Sequence, residues 1–289
     1  MLTVVFGLST AFFFGSGDFL GGFASRRISP IRVTALSALG GLVTVCLIVP
    51  LFGGTWSLAA LGWGAVAGIV ACLSVSMLYA SLAIGPMSIL SPLIAILSAV
   101  VPMAVGLVGG ERFSGLGYLG LAVALLAVIL VGLPSDTHGA RPNLRGLVLA
   151  SGAGISIGLG LVVFSHMPAD SGFVPLIVGR SITVVVMFAA VGMLALRARR
   201  GRRLPLAEST GWRGGFWIAI GAGVLAAVAD GFMLAGVRLG DLSIMAVLVA
   251  LYSGVTVILA ALILKERITR LQGAGLLCAL AAVALLAAA

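Results

Sequence analysis

Charged residues are scarce in this chain, and their scarcity argues against a soluble globular protein. The 289 residues are 61% hydrophobic and only 9% charged, whereas a soluble domain carries roughly 25% charged residues. Such a chain lacks the polar surface that it would need to face water on all sides. Together with a mean hydropathy of +1.28, the composition predicts an integral membrane protein whose outer surface is solvated by lipid.

Cysteine and histidine are also scarce, and they do not form a recognisable site. The three cysteines, Cys46, Cys72 and Cys278, lie in separate apolar runs, and the two histidines lie in or near loops. This spacing predicts neither a metal site nor a disulfide framework. The sequence has no phosphate-binding Gly-Lys motif and no clustered nucleophile and base. We therefore expect no cofactor, no direct use of ATP and no enzymatic activity.

Long apolar runs are abundant, and ten of them are long enough to approach the roughly 20 residues that cross a bilayer. They are separated by short breaks rich in Gly, Pro, Ser and Arg. The sequence thus predicts an all-α membrane protein with ten spans, at residues 2–24, 31–52, 58–81, 87–109, 115–133, 145–166, 173–196, 214–237, 243–264 and 271–288.

The formal net charge of +9 reflects loop residues between these spans, so we interpret it as a topology signal and not as nucleic-acid binding. Basic residues concentrate in the loops that follow odd-numbered spans, which the positive-inside rule places in the cytoplasm. The sequence then predicts a multi-pass protein of the plasma (cell inner) membrane with both termini on the non-cytoplasmic side. The residues concerned are Arg26, Arg27, Arg32, Arg141, Arg145, Arg197, Arg199, Arg200, Arg202, Arg203, Arg213, Lys265, Arg267 and Arg270.

A charged interruption occurs twice, as "GGERFSG" at 109–115 and "LKERITR" at 264–270, and reveals an internal repeat. A shift of 155 positions places Glu111 on Glu266 and Ser98 on Ser253 without a gap. The predicted repeats are 1–133 and 145–289, with five spans each. Because five is odd, the second repeat must enter the membrane from the opposite side. Inverted repeats of this kind are a transporter architecture with the substrate site between the halves, near mid-bilayer.

Residues 79–132 and 233–286, which contain the two interruptions, carry a resemblance to the drug/metabolite transporter superfamily, in its EamA-type branch. The resemblance implies transport of small metabolites, with substrates across the family that include amino acids, nucleotide sugars and drugs. It also implies a central cavity formed mainly by spans 3, 4, 8 and 9, with spans 1, 2, 6 and 7 around it. The second copy departs from the family pattern by placing Lys265 where a glycine often precedes the glutamate.

Asp18, in "FGSGDFLGG" of the first span, is the first candidate site residue. An ionisable side chain in mid-helix costs roughly 2.5–3.5 kcal/mol on insertion scales, which makes it a pointer to function. One interpretation is a carboxylate that couples transport to a proton or another cation, or that binds a cationic substrate group. The alternative is a structural acid paired with Arg26 or Arg27.

Arg180 and Asp230 form the second candidate. They lie at similar predicted depth, about seven residues from the same end of spans 7 and 8, so an ion pair between them is plausible. Such a pair either lowers the cost of both charges or is opened by the substrate, with Arg180 binding a carboxylate or Asp230 binding an amine.

Four neutral residues complete the candidate site, namely Tyr79, Ser98, Tyr252 and Ser253. Tyrosine at mid-membrane needs a hydrogen-bond partner, so a place facing a cavity is reasonable. Simple helix packing is the alternative for all four.

The sequence as a whole predicts a secondary transporter of a small metabolite, such as an amino acid or a related compound, with export as the expected direction. Proton-coupled efflux of drugs or cations is the first alternative, and a non-transporting membrane regulatory subunit is the second. The expected partners are a small-molecule substrate, a proton or another coupling cation, and the lipid bilayer. No nucleic acid is expected, and a homo-oligomer is compatible with the sequence.

Overall fold

The computed structural model describes residues 2–25, 27–84, 87–131, 144–199, 212, 214–263 and 270–288. The second charged interruption with Glu266, the junction 132–143 and the basic stretch 200–203 lie outside these ranges. Within them, all regular structure is helical. The α-helices are α1 Leu2–Ser25, α2 Pro30–Phe52, α3 Leu58–Ile84, α4 Met87–Val108, α5 Gly115–Val131, α6 Leu144–Ser165, α7 Val174–Arg199, α8 Phe216–Leu239, α9 Leu242–Ala250, α10 Tyr252–Ile263 and α11 Arg270–Ala288.

Nine of the ten predicted spans coincide with one helix each, but the prediction of a single helix for the ninth span is wrong. That span consists of α9 and α10, separated at Leu251. The N–H of Leu251 donates to the carbonyl of Leu248, and the N–H of Gly254 donates to that of Leu251. These three-residue turns replace the four-residue helical register at the break. Gly15 of α1 packs directly on the break, since a Cβ at Gly15 would lie 2.5 Å from the carbonyl oxygen of Tyr252.

The helices have the length and composition of membrane spans. Six described helices, α1, α2, α3, α6, α7 and α8, contain windows long and apolar enough to cross a membrane, and four shorter apolar segments lie in α4, α5, α9–α10 and α11. Their outward faces carry large apolar side chains, among them Leu47 at 72% exposure and Trp217 at 78%. Exposed apolar surface on this scale is suited to lipid and not to water.

Helices from the two halves of the chain interleave. Helix α1 runs antiparallel to α8, with Thr3 against Gly240 at one end and Ala24 against Gly215 at the other. Helix α3 runs antiparallel to α6, with Met77 against Gly152. The remaining major contacts also join the halves: α2 packs on α7 and α8, α3 on α7, α4 on α6 and α9, α1 on α9 and α10, and α5 on α11.

Polar contacts tie the loops together at one end of the bundle, which we call the clasp end and define by residues 53–57, 109–114, 166–173 and 240–241. Thr55 Oγ1 donates to Asp170 Oδ2 at 2.9 Å. Arg238 Nη2 donates to the carbonyl oxygens of Pro168 at 2.9 Å and Gly172 at 3.0 Å. These bonds hold the 166–173 segment against the end of α8 and against the 53–57 loop.

Glu111 explains the first charged interruption. Its Oε1 accepts the N–H of Leu242 at 2.8 Å, and its Oε2 accepts the N–H of Ser243 at 3.1 Å. These N–H groups belong to the first turn of α9, where a helix has no intrahelical acceptors and where the helix dipole favours an anion. A carboxylate of the first half therefore caps a helix of the second half. Asp241, which precedes α9, makes no side-chain capping bond.

Candidate substrate cavity

A cavity of about 210 Å³ lies in the middle of the bundle. Its wall is contributed by α1, α2, α3, α4, α6, α7, α8, α9 and α10, so spans expected only to surround the cavity also line it. Most of the wall is apolar or formed by small residues. The polar wall residues are Asp18, Thr34, Ser37, Ser74, Ser98, Arg180, Thr183, Asp230 and Tyr252.

Asp18 reaches the cavity from α1 and has no hydrogen-bond or ion-pair partner among the described residues. The glycine before it allows α1 to approach α8 closely, because a Cβ at Gly17 would lie 3.2 Å from the carbonyl oxygen of Ala222. Arg27 does not pair with Asp18: its Nη1 donates to the carbonyl of Gly214 at 3.3 Å, and its guanidinium lies over the Phe23 ring. Arg26 lies outside the described residues.

Arg180 of α7 and Asp230 of α8 form an ion pair at the cavity wall. Arg180 Nη2 lies 2.5 Å from Asp230 Oδ2, and the two side chains are 17% and 14% exposed. Arg180 and Asp230, which the sequence places at similar depth, are thus in direct contact. The guanidinium also packs on α2, where a Cβ at Gly41 would lie 3.1 Å from its Cζ atom. Glycine at position 41 therefore leaves room for the arginine head.

Tyr252 and Ser98 both line the cavity. Asp18 lines the same cavity. Tyr252 is the first residue of α10, so the break in the ninth span places its ring. The Ser98 hydroxyl additionally donates to the carbonyl of Ala95 at 2.9 Å.

Of the remaining two candidates, only Ser253 has a described side chain. Ser253 is buried, does not line the cavity and donates to the carbonyl of Ala250 at 3.2 Å. The side chain of Tyr79 lies outside the part of the chain that the structure describes. The structure thus brings together Asp18, Ser98, Arg180, Asp230 and Tyr252.

Sequence reasoning missed four hydroxyl residues of the wall. Thr34 and Ser74 donate to the carbonyls of Pro30 and Val70, four residues earlier in their helices. Ser37 donates to Ala219 of α8 at 2.8 Å, and Thr183 donates to Gly179 at 2.9 Å. Serine and threonine are commonly satisfied by their own helix in this way. Their presence in an apolar span is therefore a weak signal, and only a helical stripe of such residues could have indicated the wall.

At the clasp end, outside the spans, Asp241 lies near a second acid, Glu111. Partial burial, and secondly the nearby Glu111 carboxylate, raise the pKa of Asp241 above its usual value. The two acids therefore repel each other, although only Glu111 accepts hydrogen bonds from α9.

The model of the EamA-like transporter family matches residues 144–288, which is half of the chain. The chain belongs to the EamA-like transporter family. No curated protein matches it. A solved crystal structure is similar over 98% of this chain and 95% of its own, with a TM-score of 0.67 and 16% sequence identity. At that identity the likeness shows the fold alone.

Membership of the EamA-like family makes the coarse function that of a membrane transporter of small molecules, in a family of transporters and not of enzymes. Family membership alone does not identify the substrate.

Proposed function

We propose that the protein is a secondary transporter that carries a small metabolite through the central cavity by alternating access. Amino acids and related compounds are the first candidates for the substrate, and export is the proposed direction. The observation that carries the proposal is the set of three charged side chains, Asp18, Arg180 and Asp230, that face one cavity deep in apolar helices. Charges in this position are costly and mark substrate or ion pathways.

The packing of the helices supports inverted repeats as the basis of alternating access. The repeat pairs α1 with α6, α3 with α8, and α4 with the α9–α10 span. Helix α1 packs on α8, and its mate α6 packs on α3. Likewise α1 packs on α9 and α10, while α6 packs on α4. This exchange of partners is expected of two halves related by a two-fold axis, which an odd number of spans places in the membrane plane.

Asp18 is the proposed coupling residue. A carboxylate at a cavity wall that has no partner among the described residues can hold a proton in one state and a cation in another, and its charge must be offset in any state that excludes water. This property favours proton-coupled efflux of cations as the alternative function. In both versions Arg180 and Asp230 orient the substrate or close the site, and the Tyr252 and Ser98 hydroxyls supply neutral hydrogen-bonding groups.

Uptake into proteoliposomes tests the proposal. The purified protein would be given labelled amino acids, their amides, purine nucleosides and a lipophilic cation, with and without an imposed pH gradient. We expect at least one compound to accumulate, and we expect Asp18→Asn to abolish acceleration by the gradient. Asp241→Asn is the matched control, because Asp241 lies outside the cavity and makes no capping bond.

Failure of the folded wild-type protein to move any compound of the panel would count against this proposal and favour the regulatory alternative. Equal acceleration by the gradient in wild type and Asp18→Asn would remove Asp18 from the coupling role.

A further inference from the structure

The charges of the cavity are unequally matched. Arg180 is engaged by Asp230, while Asp18 has no hydrogen-bond or ion-pair partner within the described part of the chain. Among the cavity-lining residues that the structure describes, these three are the ones with formal charge. With both acids ionised, the described part of the cavity wall therefore carries one uncompensated negative charge. A ligand with one positive charge would offset it, whereas a carboxylate ligand would have to displace Asp230 from Arg180.

The surroundings of Asp18 fit an ammonium group in particular. Phe14 precedes Asp18 by four residues on α1, so the two side chains share one helix face, and both line the cavity. An aromatic ring attracts a cation to its face, and a carboxylate accepts the N–H groups of an ammonium. Tyr252 lines the same cavity, and its hydroxyl offers a further oxygen acceptor.

The rest of the wall disfavours an inorganic cation and favours an organic one. Hard metal ions need about six oxygen ligands, whereas most residues of the cavity wall are apolar or small, among them Ala222 and Ala226, which pack on Gly17 next to Asp18. Apolar walls suit a compact hydrocarbon skeleton. The volume of about 210 Å³ is below the roughly 300–1,000 Å³ of pockets for drug-sized ligands.

We infer that the cavity binds a compact organic ammonium compound through Asp18 and the Phe14 ring, and that a carboxylate on the ligand is not required. The inference rests on the proposed transport function and narrows its substrate class. It predicts that an amine binds better than the corresponding zwitterionic amino acid, and that the corresponding acid binds worst.

Direct binding to the purified full-length protein in lipid nanodiscs tests this inference independently of transport. The probes are two series that share a skeleton and differ in charge: isoamylamine, leucine and isocaproate, and phenethylamine, phenylalanine and hydrocinnamate. Titration calorimetry with wild type should give the highest affinity for the amine of at least one series. Asp18→Asn should weaken that amine by roughly tenfold or more, as expected for loss of a charge-assisted hydrogen bond.

Two further variants separate binding from folding. Phe14→Leu keeps an apolar side chain and removes the ring, so it should lower the affinity for the amine by several fold. Asp241→Asn, outside the cavity, should bind the amine like wild type. Any of three results would overturn the inference. They are stronger binding of the zwitterion or acid than of the amine in both series, an unchanged amine affinity in Asp18→Asn, and binding of neither amine. Accumulation of a zwitterion in the proteoliposome assay would still leave the proposed transport function intact.

Discussion

Breaking the ion pair between Arg180 and Asp230 should lower the free energy of unfolding by an amount that depends strongly on whether one charge or both are removed. Arg180→Met keeps most of the length of the side chain, and Asp230→Asn keeps its shape. Each single change leaves one partly buried charge without its partner. Loss of one member of a buried pair costs about 3–5 kcal/mol, whereas removal of both is often close to neutral.

Because the two side chains remain 17% and 14% exposed, we expect each single variant to lose about 3 kcal/mol of unfolding free energy, near the lower end of that range. The double variant should cost less than either single one. The free energy of unfolding would be measured by denaturing-detergent titration in mixed micelles, with all four proteins compared in the same lipid and detergent. Additive costs of the two substitutions would refute the reasoning, because independent sites behave additively.

Transport by the same four proteins distinguishes a structural pair from one that the substrate opens. If the pair only offsets two charges, the double variant should regain transport together with stability. If the substrate separates the pair, the double variant should regain stability while transport remains low. The second result is expected from the position of both side chains at the cavity wall.

Two further predictions concern the slot beside Arg180 and the cap at the clasp end. Gly41→Ala places a methyl group about 3.1 Å from the guanidinium and should lower transport, whereas Gly192→Ala on α7, which meets open space, should not. In an Arg180→Lys background, where the head group is narrower, Gly41→Ala should cause no further loss of transport. An equal loss in that background would contradict the contact. Glu111→Gln should destabilise the protein by about 1–3 kcal/mol through loss of an anionic double cap. Asp241→Asn should instead stabilise it at neutral pH: the raised pKa means that the folded state binds the proton more tightly than the unfolded chain, so stability falls as Asp241 ionises. The gain should vanish in acid, and a gain that persists there would rule out this cause.

The spans were predictable because lipid imposes a simple rule: about 20 apolar residues in a helix that satisfies its own backbone. The break at Leu251 was not predicted, since neither proline nor glycine stands at that position. Gly254, whose N–H closes the second turn, follows three residues later, and Gly15 of α1 packs on Tyr252. A single glycine near a helix centre is too common in these spans to have indicated a break.

The charged residues of the site were predictable for a related reason, because an ionisable group in an apolar span is conspicuous. Similar depth on adjacent spans indicated the pairing of Arg180 with Asp230. The role of Glu111 could not be read in the same way, since the repeat showed that the residue recurs but not that it caps α9. The four hydroxyl residues of the wall gave little signal because hydroxyl groups in a span are readily satisfied by backbone carbonyls, of their own helix for Thr34, Ser74 and Thr183 and of α8 for Ser37.

The interleaving of the helices has a consequence for how the cavity can open. Helices α1 and α2 pack on α8, and α1 also packs on α9 and α10, whereas α3 and α4 pack on α6, and α3 also packs on α7. These contacts sort the helices into one group of α1, α2, α8, α9 and α10 and another of α3, α4, α6 and α7, and the two groups meet where α2 packs on α7 and α4 packs on α9. Each group draws helices from both halves of the chain. If the proposed alternating access moves these groups against each other, the moving units differ from the predicted repeats, and the Glu111 cap, which joins the segment after α4 to the start of α9, lies between the two groups.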